Sequence, residues 1–328
     1  MKNNQKIIAQ NGFTLIELMV SITLGLLITA AAVQVFTSGL ISTRVHQANA
    51  EIQDSGILGL EFIARDIRMA NYGNLNNLKI DDQTLWGGIV LSVGATSNLP
   101  IASVGNALLS NSVGDTVGTE DNEWQGLSGV NTAGNVHAAS DQLTIQFVAP
   151  EDTVNCEGLN VLAGDYVIQR YFLRPVSDDQ PNDLALACDA NTPAATRVNV
   201  EARPSVVQGF GGAGQIILPR VDQLRFYLGT WEEVAGSDDK RLAYYSIHEY
   251  KDKAISQRGS NLEAPRVVSV RIATLIRSVD STNNPHVDLT LPIAMLDQNV
   301  IPKNQDLRYA RQVYTTTAAL RNALGEKI

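Results

Sequence analysis

The chain has 328 residues and a formal net charge of −9 at pH 7, with 34 acidic side chains against 25 basic ones. That balance, with no basic cluster interleaved with aromatics, makes a poor non-specific nucleic-acid binder, because phosphates need Lys and Arg. His46, His137, His248 and His286 are scattered and only two cysteines are present, so no metal and no cofactor is expected.

Residues 1–12 carry Lys2 and Lys6 and no acid. Residues 13–36 are apolar except for Glu17, Gln34 and small hydroxyl side chains. A helix of about 24 residues is long enough to cross roughly 30 Å of hydrocarbon. The two lysines favour a cytoplasmic N-terminus and an exported body. Ala30-Ala31-Ala32 offers a cleavage site for an ordinary secretory signal, but Val33, Val35 and Phe36 continue the apolar run past it. Glu17 sits near the start of that run, where a charge is costly unless paired, and this marks it as a functional residue.

The string Gly12-Phe13-Thr14-Leu15-Ile16-Glu17-Leu18-Met19-Val20 resembles the signal of type IV pilins and type II secretion pseudopilins. The resemblance implies cleavage between Gly12 and Phe13 by a prepilin peptidase, N-methylation of Phe13, and retention of the apolar run as a membrane anchor. It also gives Glu17 a partner, the Phe13 amine of a neighbouring subunit. Such a pair in a low dielectric is strongly favoured over either charge alone, so Glu17 becomes a registration residue. The plainer alternative is a carboxylate that snorkels to the interface.

Residues 37–72 keep the helical pattern. Ile41, Val45, Ala48, Ile52, Gly56, Gly59, Ile63, Ile67 and Ala70 form an amphipathic stripe. Glu51, Asp54, Arg65, Asp66 and Arg68 lie mostly off it, and Glu61 precedes Arg65 in the favourable i,i+4 order. Asn71-Tyr72-Gly73-Asn74 reads as the stop. A helix over residues 13–70 would be about 87 Å long. Its glycines, at 25, 39, 56 and 59, each cost roughly 1 kcal/mol relative to Ala and invite a bend.

Residues 73–328 read as one body rich in short strands. Candidates are 88–93, 142–148, 166–173, 221–228, 242–248, 266–276, 287–291 and 311–317. With the helix they predict an α+β class, a long N-terminal helix packed on antiparallel sheet. Two polar stretches, 95–140 and 178–196, read as surface loops. Gly209 to Gly214 fits G-x-G-x-x-G without the strand–turn–helix context of a dinucleotide site, and reads as a loop. Glu120 to Glu123 and Asp178-Asp179 lack the spacing of a calcium loop. Nothing points to an enzyme. Cys156 and Cys188, in an exported domain, suit a disulfide. It would close a loop of about 33 residues, worth roughly 3 to 4 kcal/mol. Two buried thiols are the alternative.

Further blocks extend the resemblance. Residues 62–72, FIARDIRMANY, look like the end of the first helix of PilW-type minor pilins; 221–227, 267–278 and 314–322 resemble its strands and C-terminal signature, in family order. The cysteine that this family often carries after the first helix is absent, so its disulfide pattern does not transfer. A minor pilin joins other minor pilins in the inner membrane, primes assembly of the type IV pilus from the major pilin and stays at the tip, often with an adhesin. The alternative is a type II secretion pseudopilin. The missing helix proline and the C-terminal block favour the minor pilin. Removal of Lys2 and Lys6 with the leader would take the net charge from −9 to −9 − 2 = −11.

Overall fold

A computed structural model describes residues 12–75, 77–101, 103–115, 124–129, 133–194, 203–233, 239–303 and 307–323. The leader before Gly12 and the acidic run Glu120 to Glu123 lie outside the described residues. The chain divides into two units, Met1–Gln47 and Ala48–Ile328. Helix α1 (Leu15–Met69) runs through that boundary without interruption, so none of its glycines ends it.

In the first unit the described side chains from Gly12 to Leu40 are all exposed. The second unit is built on two antiparallel four-stranded sheets. The first has the order β1 (Leu143–Val148), β4 (Tyr166–Pro175), β5 (Leu184–Ala190), β6 (Gln215–Pro219). The second has the order β12 (Tyr309–Ala319), β9 (Arg266–Ser281), β7 (Val221–Glu233), β8 (Lys240–Ser246). Two small hairpins, β2 (Thr153–Val154) with β3 (Asn160–Val161) and β10 (Ile293–Met295) with β11 (Gln298–Val300), lie outside them. A second helix, α2 (Ile247–Gly259), follows β8.

One core joins the two sheets to the second half of α1. Ile52, Leu60, Ile63 and Ile67 share it with Leu143, Ile145, Tyr171, Leu186, Leu224, Phe226, Val270 and Ile272. The helix stripe has the 3–4 spacing that puts one face inward. Gly56 and Gly59 set how closely it approaches. A Cβ on Gly56 would stand 2.5 Å from the Tyr314 ring, and one on Gly59 would stand 2.6 Å from the Leu218 side chain. Closer packing against β12 and β6 thus outweighs the helix-propensity cost of both glycines.

Several expectations need correction. Residues 178–196 are not one polar loop, because they contain β5, buried along its whole length between β4 and β6. Leu-Ala-Leu-Ala-Cys has no polar alternation to betray a strand buried on both faces. The stretch 95–140 is not a surface loop either. Leu99, Ile101, Val104 and Leu109 pack with Tyr166 and Ile168 in a second apolar cluster. Several of its described polar residues are buried and bonded: the Asn98 side chain donates to the Thr84 carbonyl, the Ser110 hydroxyl to the Thr144 carbonyl and the Asn111 side chain to the Asn106 carbonyl.

His248 belongs to α2 and not to a strand. Ser246 and Glu249 close a capping box there, a signal present in the sequence as S-x-x-E. Residues 88–93 make only isolated bridges, Ile89 to Ile145 and Val93 to Leu99, and 287–291 are turns followed by the β10–β11 hairpin. Glu61 pairs with Arg68 at 2.9 Å instead of Arg65, which lies over the Phe62 ring. Asp66 is buried.

Cys156, in the connection between β2 and β3, is joined to Cys188 on β5, with a Cα–Cα distance of 6.0 Å. The bond ties an exposed hairpin to a central strand. Replacing both cysteines with Ser is expected to lower stability by roughly 3 kcal/mol, read as a lower denaturant midpoint. Gly56→Ala and Gly59→Ala are each expected to destabilise by about 1–3 kcal/mol through overpacking, although Ala is the better helix former. Equilibrium denaturation checks the sign.

Candidate assembly site

Phe13 is exposed at 85 % and precedes the first turn of α1. Thr14 caps that turn. Its N–H and its hydroxyl both donate to Glu17 Oε2, at 3.1 Å each, and the Glu17 N–H donates to the Thr14 hydroxyl at 3.3 Å. This is a reciprocal capping box, which satisfies N–H groups that the first helical turn otherwise leaves bare. The T-x-x-E spacing of this box lies within the string Gly12 to Val20. Both contacts of the carboxylate use one oxygen, and Oε1 has no partner among the described residues. The site residues therefore fall in one turn: Gly12 and Phe13 before the helix, Thr14 at its cap, and Glu17 within it.

The other end of α1 is fixed by residues far away in sequence. Asn71 has φ 68°, the left-handed conformation that stops a helix. The Asn322 side chain lies 3.3–3.5 Å from the carbonyls of Arg68, Met69 and Ala70, and the Asn71 side chain donates to the Asn322 carbonyl at 3.0 Å. The C-terminal segment thus closes on the helix end, with Tyr314 against Gly56 and Asn322 at the last carbonyls.

Between these contacts lies Asp66. The Tyr171 hydroxyl is 2.7 Å from Asp66 Oδ2 and 3.0 Å from Gln169 Oε1. One phenolic proton cannot serve both oxygens at once. Burial raises the Asp66 pKa above 3.8, while Tyr171 and Arg65 oppose that shift. The folded state therefore binds more protons than the unfolded state above pH 3.8. Stability from this group is greatest below that pH and falls as pH rises through the folded pKa. Asp66→Asn keeps a donor and an acceptor at the site. It is expected to be neutral or stabilising at pH 7 and to lose that advantage near pH 4, measured as the difference in denaturation midpoint from the parent chain.

The histidines form no catalytic set. His248 faces carboxylates with both ring nitrogens, Asp115 at 3.3 Å and Asp252 at 3.5 Å. Among the described residues no group of three or more His, Cys, Asp or Glu side chains is placed to hold a metal.

An apolar N-terminal helix continuing into the core of an antiparallel body is a pilin-like architecture. The model of the type IV pilus-assembly protein W family matches residues 176–322, and that of the prokaryotic N-terminal methylation motif matches residues 8–33. The chain is thus PilW-like over residues 176–322 and carries a pilin-type methylation motif over residues 8–33, which supports a role in pilus biology. A type IV-like pilin from Thermus thermophilus is 12% identical, with 83% of this chain and 97% of that chain covered and a TM-score of 0.33. No curated protein sequence matches. By length and composition helix α1 is apolar enough to cross a membrane.

Proposed function

We propose that the protein is a minor pilin that primes assembly of the type IV pilus and remains at its tip. In this reading residues 1–12 are a leader, 13–36 span the inner membrane, and 37–72 carry the helix into a periplasmic body over 73–328. Prepilin peptidase cuts between Gly12 and Phe13, and the Phe13 amine is methylated. The partners are other minor pilins, the major pilin and a tip adhesin.

The observation that carries the reading is the first turn of α1. Glu17 has one oxygen committed to Thr14 and one oxygen open, at the start of an apolar and exposed helix. An open carboxylate there is costly in lipid and is relieved by a cation from a neighbour. The new amine at Phe13 of that neighbour supplies it.

Glu17→Ala is expected to leave the protein in the membrane fraction and to abolish or reduce surface pili at least tenfold. Wild-type piliation in that variant would leave only a membrane tether. The N-terminal mass of the mature protein gives the second readout. A methylated Phe13 supports the pathway, whereas a start near Val33 overturns it. Deletion that stopped secretion but spared pili would favour the pseudopilin role.

A further inference from the structure

The two main sheets have four edges, and three are guarded. The outer side of β1 is occupied by the preceding chain: Val90 N–H donates to the Thr144 carbonyl, Gln146 N–H to the Gly88 carbonyl and Val148 N–H to the Tyr72 carbonyl. Strand β6 is short, ends in Pro219 and meets β5 across a register shift. Strand β8 exposes Lys240 and Arg241. Charges, prolines, short strands and covering segments are the usual means of preventing edge pairing.

Strand β12 has none of these over Gln312–Ala319. The run QVYTTTAA contains no charge, proline or glycine. Its outward groups can be assigned. Leu320 N–H donates to the Val268 carbonyl at 2.9 Å, and pairing with β9 runs from Arg311 to Ala319 without a shift. Counting back in twos, the N–H groups of Ala318, Thr316 and Tyr314 face β9, whereas those of Ala319, Thr317, Thr315 and Val313 face away. Among the described residues these outward groups have no hydrogen-bond partner.

We propose that the free edge of β12 receives an extended, uncharged, β-branched segment of another pilus subunit, which adds as a fifth strand. The proposal rests on the pilus role above. The guest is defined by charge. Exposed Gln312, Thr315, Thr317 and Ala319 are neutral, and Arg321 stands exposed just beyond them. A neutral strand followed by an acidic residue complements that row. A second copy of this chain fits poorly, because an antiparallel β12 would bring its own arginine-bearing start to Arg321, and both bodies carry net negative charge. Strand addition takes its affinity from main-chain hydrogen bonds and its selectivity from alternate side chains.

The test uses the full-length protein in piliated cells, with a benzophenone side chain at Thr315 or, as a control on β8, at Leu242. The expected result is an adduct from position 315 to a pilus subunit, mapped by mass spectrometry to an uncharged extended segment, at least tenfold above the control. Thr317→Pro removes an outward N–H and leaves the β9 ladder intact. Thr317→Lys places a charge on the same edge. Each is expected to lower the adduct and surface pili at least tenfold with the melting temperature held within a few degrees; if the proline variant misfolds, the lysine variant decides. A self-adduct, an adduct in a charged or helical segment, or wild-type pili in a folded edge variant would overturn the proposal. Deletion of the whole protein separates the two claims. Pili lost on deletion but kept in the edge variants sink the strand-addition site alone, whereas pili kept on deletion sink the pilus role.

Discussion

Helix α1 must satisfy two different surroundings with one unbroken backbone. As far as Phe36 its side chains are exposed and, apart from Glu17, Gln34 and small hydroxyl residues, apolar, which suits lipid or other helices. From Ala48 onward only one stripe is apolar, and that stripe is buried in the second unit. No proline interrupts it. The rest of the second unit can be understood as what this second stripe requires: two sheets that close over Ile52, Leu60, Ile63 and Ile67.

The contacts that hold the stripe come from across the sequence. Gly56 admits Tyr314 of β12, and Gly59 admits Leu218 of β6. Asp66 reaches Tyr171 of β4, and Asn322 reaches the last carbonyls of the helix. Each main sheet therefore grips α1 at a position where a larger or uncharged side chain would alter the fit. The family signature at residues 314–322 acquires a physical meaning here. Tyr314 fills the glycine notch, Ala318 and Leu320 are buried, and Asn322 caps the helix. The region matched to the family ends at that capping asparagine.

The sequence made α1 legible because its period and its stop signal are strong and local. The clearest strands, β1, β7 and β9, were legible because apolar residues recur at alternate positions. Strand β5 was not, since a strand buried on both faces shows no alternation, and its Asp and Pro neighbours imitate a loop. Residues 95–140 were misread for a related reason. Their Asn and Ser side chains look solvent-seeking, but Asn98, Ser110 and Asn111 are buried and donate to nearby carbonyls. Composition reports polarity, whereas burial depends on whether each polar group finds a partner. Asp66 shows the same limit on a helix: its charge put it off the stripe, and a phenol 105 residues away put it inside.

Glu17 and Asp66 are the two carboxylates of α1 whose surroundings make charge expensive, and they resolve the problem in opposite ways. Asp66 is enclosed; burial raises its pKa, and the Tyr171 hydroxyl and Arg65 offset part of the cost of its charge. Glu17 has one oxygen held by Thr14 and is exposed in the single chain, which is the basis of the proposal that a neighbouring chain pairs with it. A group satisfied within the fold contributes to stability alone. A group left with an open oxygen on an otherwise apolar surface is satisfied only when a second chain arrives with a cation. That difference is why the proposed assembly role falls on the capping box at the first turn, while the buried pair at the other end is accounted for within the fold.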